Sequence, residues 1–154
     1  VSNRYFKGRA LRREILGAKV DKATAALPQN TVDPLFNIVN GRVILTSLIG
    51  EATIQIQGQT TNLKVQVNPT TGTTADIAAD LNATGDEVGT LYGITGAFAD
   101  ALIGTNAGAT VIISSPVVLQ VGTIDLECGE TSTGNIKWAA TYIPLDPDGE
   151  MTVA

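Results

Sequence analysis

Asp76 and Asp80 stand four residues apart, and on a helix they would share one face, where paired carboxylates can trade a proton or hold a cation. Residues 75–81 fit a short helix and an irregular strand equally poorly, and such a pair is more often just a solvated face. Asp146, Asp148 and Glu150 gather oxygen ligands around Gly149, but Pro147 interrupts them and the remaining ligands of a calcium loop are missing. Residues 89–96 are rich in glycine without the lysine or the spacing of a phosphate-binding loop, which leaves turns as the better explanation. Asn82-Ala83-Thr84 is a complete glycosylation sequon, though no secretory signal accompanies it. No metal or cofactor is expected.

The residue types that are absent narrow the chemistry further. The chain has no histidine, which removes histidine-dependent nucleophilic catalysis, histidine metal sites and histidine pH switching. Cys128 is the single cysteine, so no intrachain disulfide or cysteine metal cluster can form, and its apolar neighbours mark it as a buried small hydrophobe. An enzyme built here would have to work with carboxylates alone, and a non-enzymatic role is expected. No apolar run has the length of a transmembrane helix, and the basic start lacks the apolar segment of a signal peptide, so a soluble, non-secreted protein is expected.

Charge is the informative property. The 154 residues carry a net charge of −5, yet Arg4, Lys7, Arg9, Arg12, Arg13, Lys19 and Lys22 place seven of the ten basic residues within the first 22. Only Glu14 and Asp21 oppose them, which leaves a basic arm on an acidic body. Such an arm either neutralises phosphates or docks on an acidic protein surface. Phosphate binding alone needs no apolar content, but Tyr5, Phe6, Leu11, Ile15 and Leu16 are interspersed among the charges, so packing against a protein is expected and direct nucleic-acid binding is not. Leu11, Ile15 and Ala18 recur at helical spacing and predict a short amphipathic helix ending near Gly17. The contact residues expected in the arm are Arg4, Tyr5, Phe6, Lys7, Arg9, Leu11, Arg12, Arg13 and Ile15.

Residues 24–33, with Pro28 and Pro34 as punctuation, read as a linker, so residues 1–34 are expected to be arm and linker and residues 35–154 the body. In the body the period changes to two. Residues 35–39 and 42–49 flank Asn40-Gly41, the strongest short hairpin signal in the chain. Ala52, Ile54 and Ile56, and then Leu63, Val65 and Val67, alternate with polar residues as strands with one wet face. Residues 110–113, 116–120 and 123–128 predict further strands, the last with Ile124, Leu126 and Cys128 inward and Asp125, Glu127 and Glu130 outward. In the final strand, residues 135–144, Ile136, Trp138, Ala140 and Tyr142 share one side, with Trp138 as a core anchor. The expected fold is all-β, a single β-sandwich or jelly-roll-like domain with an extended basic N-terminal arm that contains a short helix.

Residues 41–46 (Gly-Arg-Val-Ile-Leu-Thr), 50–55, 68–73 and 89–96, with Lys137-Trp138 leading into residues 142–145, together resemble small structural proteins of tailed bacteriophages. The similarity is greatest to the decoration or cement proteins of the capsid and spans residues 35–144, while the basic arm is less typical. The resemblance implies a virion protein on the capsid surface, assembled in the host cytoplasm. It would bind the major capsid protein lattice and sister subunits as a homo-oligomer, a trimer being one such arrangement. A tail, neck or baseplate component, or a receptor- or glycan-binding β module, remains the alternative. No membrane partner is expected.

Overall fold

The computed structural model describes residues 7–154, so the expected contacts at Arg4, Tyr5 and Phe6 lie outside the described residues. One helix, α1 (Gly8–Leu16), precedes eleven strands: β1 (Ala18–Ala26), β2 (Thr31–Val39), β3 (Val43–Ile54), β4 (Asn62–Pro69), β5 (Ala75–Asn82), β6 (Leu91–Gly93), β7 (Ile103–Thr105), β8 (Val117–Leu119), β9 (Gly122–Cys128), β10 (Asn135–Pro144) and β11 (Glu150–Val153). They form two antiparallel sheets, one ordered β1-β10-β3-β6-β7 with β8 also paired to β3, the other ordered β11-β2-β9-β4-β5. The chain is an all-β sandwich.

The core is the inward half of each alternating strand. Ile124, Leu126 and Cys128 of β9 are buried, as are Ile136, Trp138, Ala140 and Tyr142 of β10 and Leu63 and Val65 of β4. Across the first sheet Trp138 faces Gly50, and Gly50 faces Tyr92. A β-carbon on Gly50 would lie 2.8 Å from the indole, so the glycine leaves room for the Trp138 and Tyr92 rings, whose centroids are 6.2 Å apart.

Several local expectations give way to tertiary context. Asn40 and Gly41 do adopt positive φ, but β2 and β3 do not pair with each other. β2 joins β9 and β11 while β3 joins β10, β6 and β8, so the turn carries the chain from one sheet to the other. Arg42 explains the divergence. Its N–H donates to the Asp146 carboxylate at 2.7 Å and its carbonyl accepts from the Leu145 N–H at 3.0 Å, so its backbone is satisfied by the 145–149 turn and not by β2.

The linker expected at residues 24–33 is also corrected. β1 runs to Ala26 against β10, and β2 begins at Thr31 against β9, with Pro34 accommodated at a register shift before Phe36. The boundary drawn after residue 34 therefore falls within β2. Ile54 was expected inward and is exposed, because an extra residue at Thr53 breaks the register with β10 and turns the alternation over. Residues 110–113 form no strand; Ile113 is buried while Val111 and Ile112 are exposed. The expected outward row on β9 fails at Asp125, which is buried, with Oδ1 unpartnered.

Candidate functional site

The helix expected in the arm forms, and its end is set where the sequence suggested. Gly17 takes φ 86°, and a β-carbon there would lie 1.9 Å from the Tyr142 carbonyl oxygen, so only glycine lets the chain pass this close to β10. Ala18, counted in the apolar stripe of the helix, is instead the first residue of β1.

Three hydroxyls tie the end of α1 to the body. A register shift in β10 between Thr141 and Tyr142 leaves both Thr46 and Ser47 of β3 beside Thr141. Thr46 Oγ1 donates to the Leu16 carbonyl at 2.6 Å and also lies 2.6 Å from Thr141 Oγ1, which is 2.5 Å from Ser47 Oγ. One of the four orphan carbonyls at the helix C-terminus is thereby satisfied, and Arg13 in the last turn complements the helix dipole.

The rest of the helix is unsupported by its own body. None of its residues is buried. Arg12 and Leu16 are half-buried, whereas Leu11 is 46% exposed and Ile15 63% exposed, so the apolar stripe points away from the domain. Among the described residues Lys7, Arg9, Arg12 and Arg13 make no ion pair, and the Arg12 Nε is buried without a hydrogen-bond partner. Lys19 and Lys22, counted with the arm in sequence, belong to β1: Lys19 pairs with Asp21 at 2.7 Å, and Lys22 donates to the Ala154 carbonyl at 2.9 Å.

The three basic residues of the remaining body are all engaged. Arg42 meets Asp146 at 2.9 Å, Lys137 meets Glu51 at 2.9 Å, and Lys64 bridges Asp76 at 3.3 Å and Glu127 at 3.5 Å. Asp80, Asp86, Glu87, Asp100, Asp148 and Glu150 have no cationic partner among the described residues. Among the described residues, cations without an ion pair thus lie on α1 and carboxylates without one on the body.

The acidic candidates separate into structural roles. Asp76 and Asp80 lie on β5, a strand, where four residues of extended chain span about 13 Å, too far for the two carboxylates to act as one pair. Asp146 is committed to Arg42. The bonds from the guanidinium and from the Arg42 N–H hold its carboxyl down at about 2, and the same pair raises Arg42. Asp86 is pushed up by burial, an effect the hydrogen bond from the Tyr92 hydroxyl at 2.8 Å partly offsets. Burial first, and the Asp86 carboxylate second, raise Tyr92. No group of three or more acidic, cysteine or histidine side chains could hold a metal among the described residues. Among them, too, no helix is long and apolar enough to cross a membrane.

One surface escaped sequence reasoning. Ile143 of β10, Ile44 of β3 and Val118 of β8 are register neighbours on the outer face of the first sheet; Ile44 and Val118 are each flanked by buried residues, and Ile143 follows the buried Tyr142. Val118 is 55% exposed and Ile143 37% exposed. Phe98, the one exposed aromatic among the described residues, joins Val118 in lining a groove of about 150 Å³. Ile143 also adjoins Gly17, so the apolar row begins where the arm leaves the body.

Fold and site together define a class: a β-sandwich that holds a short basic amphipathic helix away from an acidic body. Comparison with protein-family models, with curated proteins and with solved structures finds no match for the chain.

Proposed function

We propose that the chain is a non-enzymatic structural protein that binds the outer lattice of a bacteriophage capsid as a decoration or cement protein, with α1 and the residues before it as the docking element. The observation that carries this reading is a helix whose three basic residues, with Lys7 just before it, make no ion pair among the described residues and whose apolar stripe faces outward, held at one end by a body of opposite charge. A helix of nine residues is marginal in water on its own, since isolated helices need about 12–15 residues, so packing of its apolar stripe is the natural source of further stability. The acidic body would be repelled by nucleic-acid phosphates, which favours an acidic protein surface as the partner. The resemblance of residues 41–46, 50–55, 68–73 and 89–96 to tailed-phage structural proteins supports the lattice as that surface. On a lattice, many modest contacts act together and multiply apparent affinity.

The test is cosedimentation of the purified chain with phage heads assembled without it. A variant lacking residues 1–15 keeps the Leu16 carbonyl and all of β1 while removing nearly all of the helix. The full chain should saturate the heads and release as salt rises, and the shortened chain should lose occupancy at least tenfold. Equal occupancy by the two would overturn the reading.

A further inference from the structure

The unpartnered stripe on α1 and the exposed apolar row on the first sheet adjoin each other at Gly17. Ile143, whose Cγ1 would lie 2.9 Å from a β-carbon on Gly17, heads a row that continues through Ile44 to Val118 and reaches the groove lined by Phe98. Within one molecule the two surfaces do not cover each other: Leu11, Ile15, Val118 and Phe98 are all about half exposed. We infer that α1 docks on a second copy of this chain, laying Leu11 and Ile15 on that copy's Ile143–Ile44–Val118 row.

Charge selects this occupant. The cations of α1 have no ion-pair partner among the described residues, while Lys19, Arg42, Lys64 and Lys137 of the body are in ion pairs and Lys22 is bonded to the Ala154 carbonyl. The body that carries the row is acidic, and near the row in sequence Asp148 and Glu150 follow Ile143 and Leu145 while Asp100 lies two residues from Phe98, none with a cationic partner among the described residues. A basic helix with an apolar stripe thus meets an apolar row on an acidic body. Because stripe and row are neighbours on one surface, two copies related by a two-fold axis can exchange helices so that each row receives the other's stripe, as an isologous interface requires. The inference rests on the docking role of α1 proposed above, and it names a sister copy on the lattice, in place of the capsid protein itself, as the surface that covers the apolar stripe.

Sedimentation velocity of the full chain tests it, using Ile15→Asp on the helix and Val118→Asp on the row. Both side chains are exposed, so neither change disturbs the core, and unchanged far-ultraviolet dichroism and melting confirm this. The full chain should dimerise as its concentration rises, more weakly at high salt. Each variant should raise the dissociation constant by at least about 100-fold, because in a two-fold interface the burial of an aliphatic side chain is replaced by a buried charge at both contacts. An equimolar mixture of the two variants should dimerise better than either alone, because one intact helix then meets one intact row. A full chain that stays monomeric at about 100 μM, a row variant that dimerises like the full chain, or a mixture no better than its parts would each overturn the inference. Continued binding of the chain to phage heads in any of those cases would leave the proposed function standing.

Discussion

Arg42 and Asp146 show how a pair of residues decides where the chain goes. Through one carboxylate, Asp146 accepts from the Arg42 backbone and guanidinium, and so fixes the point at which the chain leaves one sheet for the other. The pair is solvent-exposed, so its value is positional more than energetic. The folded carboxyl, at about 2, lies below its unfolded value of about 3.9. The sign follows from linkage: the contribution to stability is complete above the unfolded value and is lost as pH falls toward about 2. Replacing Arg42 with alanine should raise the Asp146 titration, followed by carboxyl NMR, part of the way to the ordinary aspartate range, because the backbone N–H at position 42 still donates to the carboxylate. An unchanged midpoint would show that Arg42 is not the cause.

Elements divide by how local their determinants are. The helix could be read in sequence because Leu11 and Ile15 repeat at helical spacing and Gly17 stops it, all within ten residues. β9 and β10 could be read because strict alternation of Ile124, Leu126 and Cys128, or of Ile136, Trp138 and Ala140, has one solution when one face is buried. The hairpin at Asn40-Gly41 misled because turn geometry is local, whereas the partners of Arg42 are more than 100 residues away. β1 misled for a similar reason. Its small and charged residues carry little strand preference, and β10 imposes the strand on them. The boundary between arm and body can be measured. Removing residues 1–15 takes away no buried side chain among the described residues and should shift the melting temperature by less than about 2 °C. Removing residues 1–22 strips the pairing from Ala18 to Lys22 and uncovers core beneath Ala18 and Val20. That larger deletion should cost about 2–4 kcal/mol, a fall of roughly 5–15 °C. Equal melting of the two shortened chains would place the true boundary elsewhere.

At the scale of the molecule, the sequence already separated a positive front from a negative body, and the structure adds how the two are joined. The join is narrow: one glycine passing Tyr142 and one carbonyl held by Thr46. The row of Ile143, Ile44 and Val118 could not be read from the chain, since its members are contributed by three strands distant in sequence and become neighbours only through register. Most of the candidate arm was therefore legible, and none of the surface proposed to receive it was.

The measurement that bears most directly on the account is a residue-resolution reconstruction of decorated phage heads. It should show α1 against a neighbouring subunit, with Leu11 and Ile15 covered and the basic side chains beside carboxylates of that neighbour. An α1 that touches only its own sandwich in the assembled particle, with its apolar stripe still facing solvent, would contradict the account.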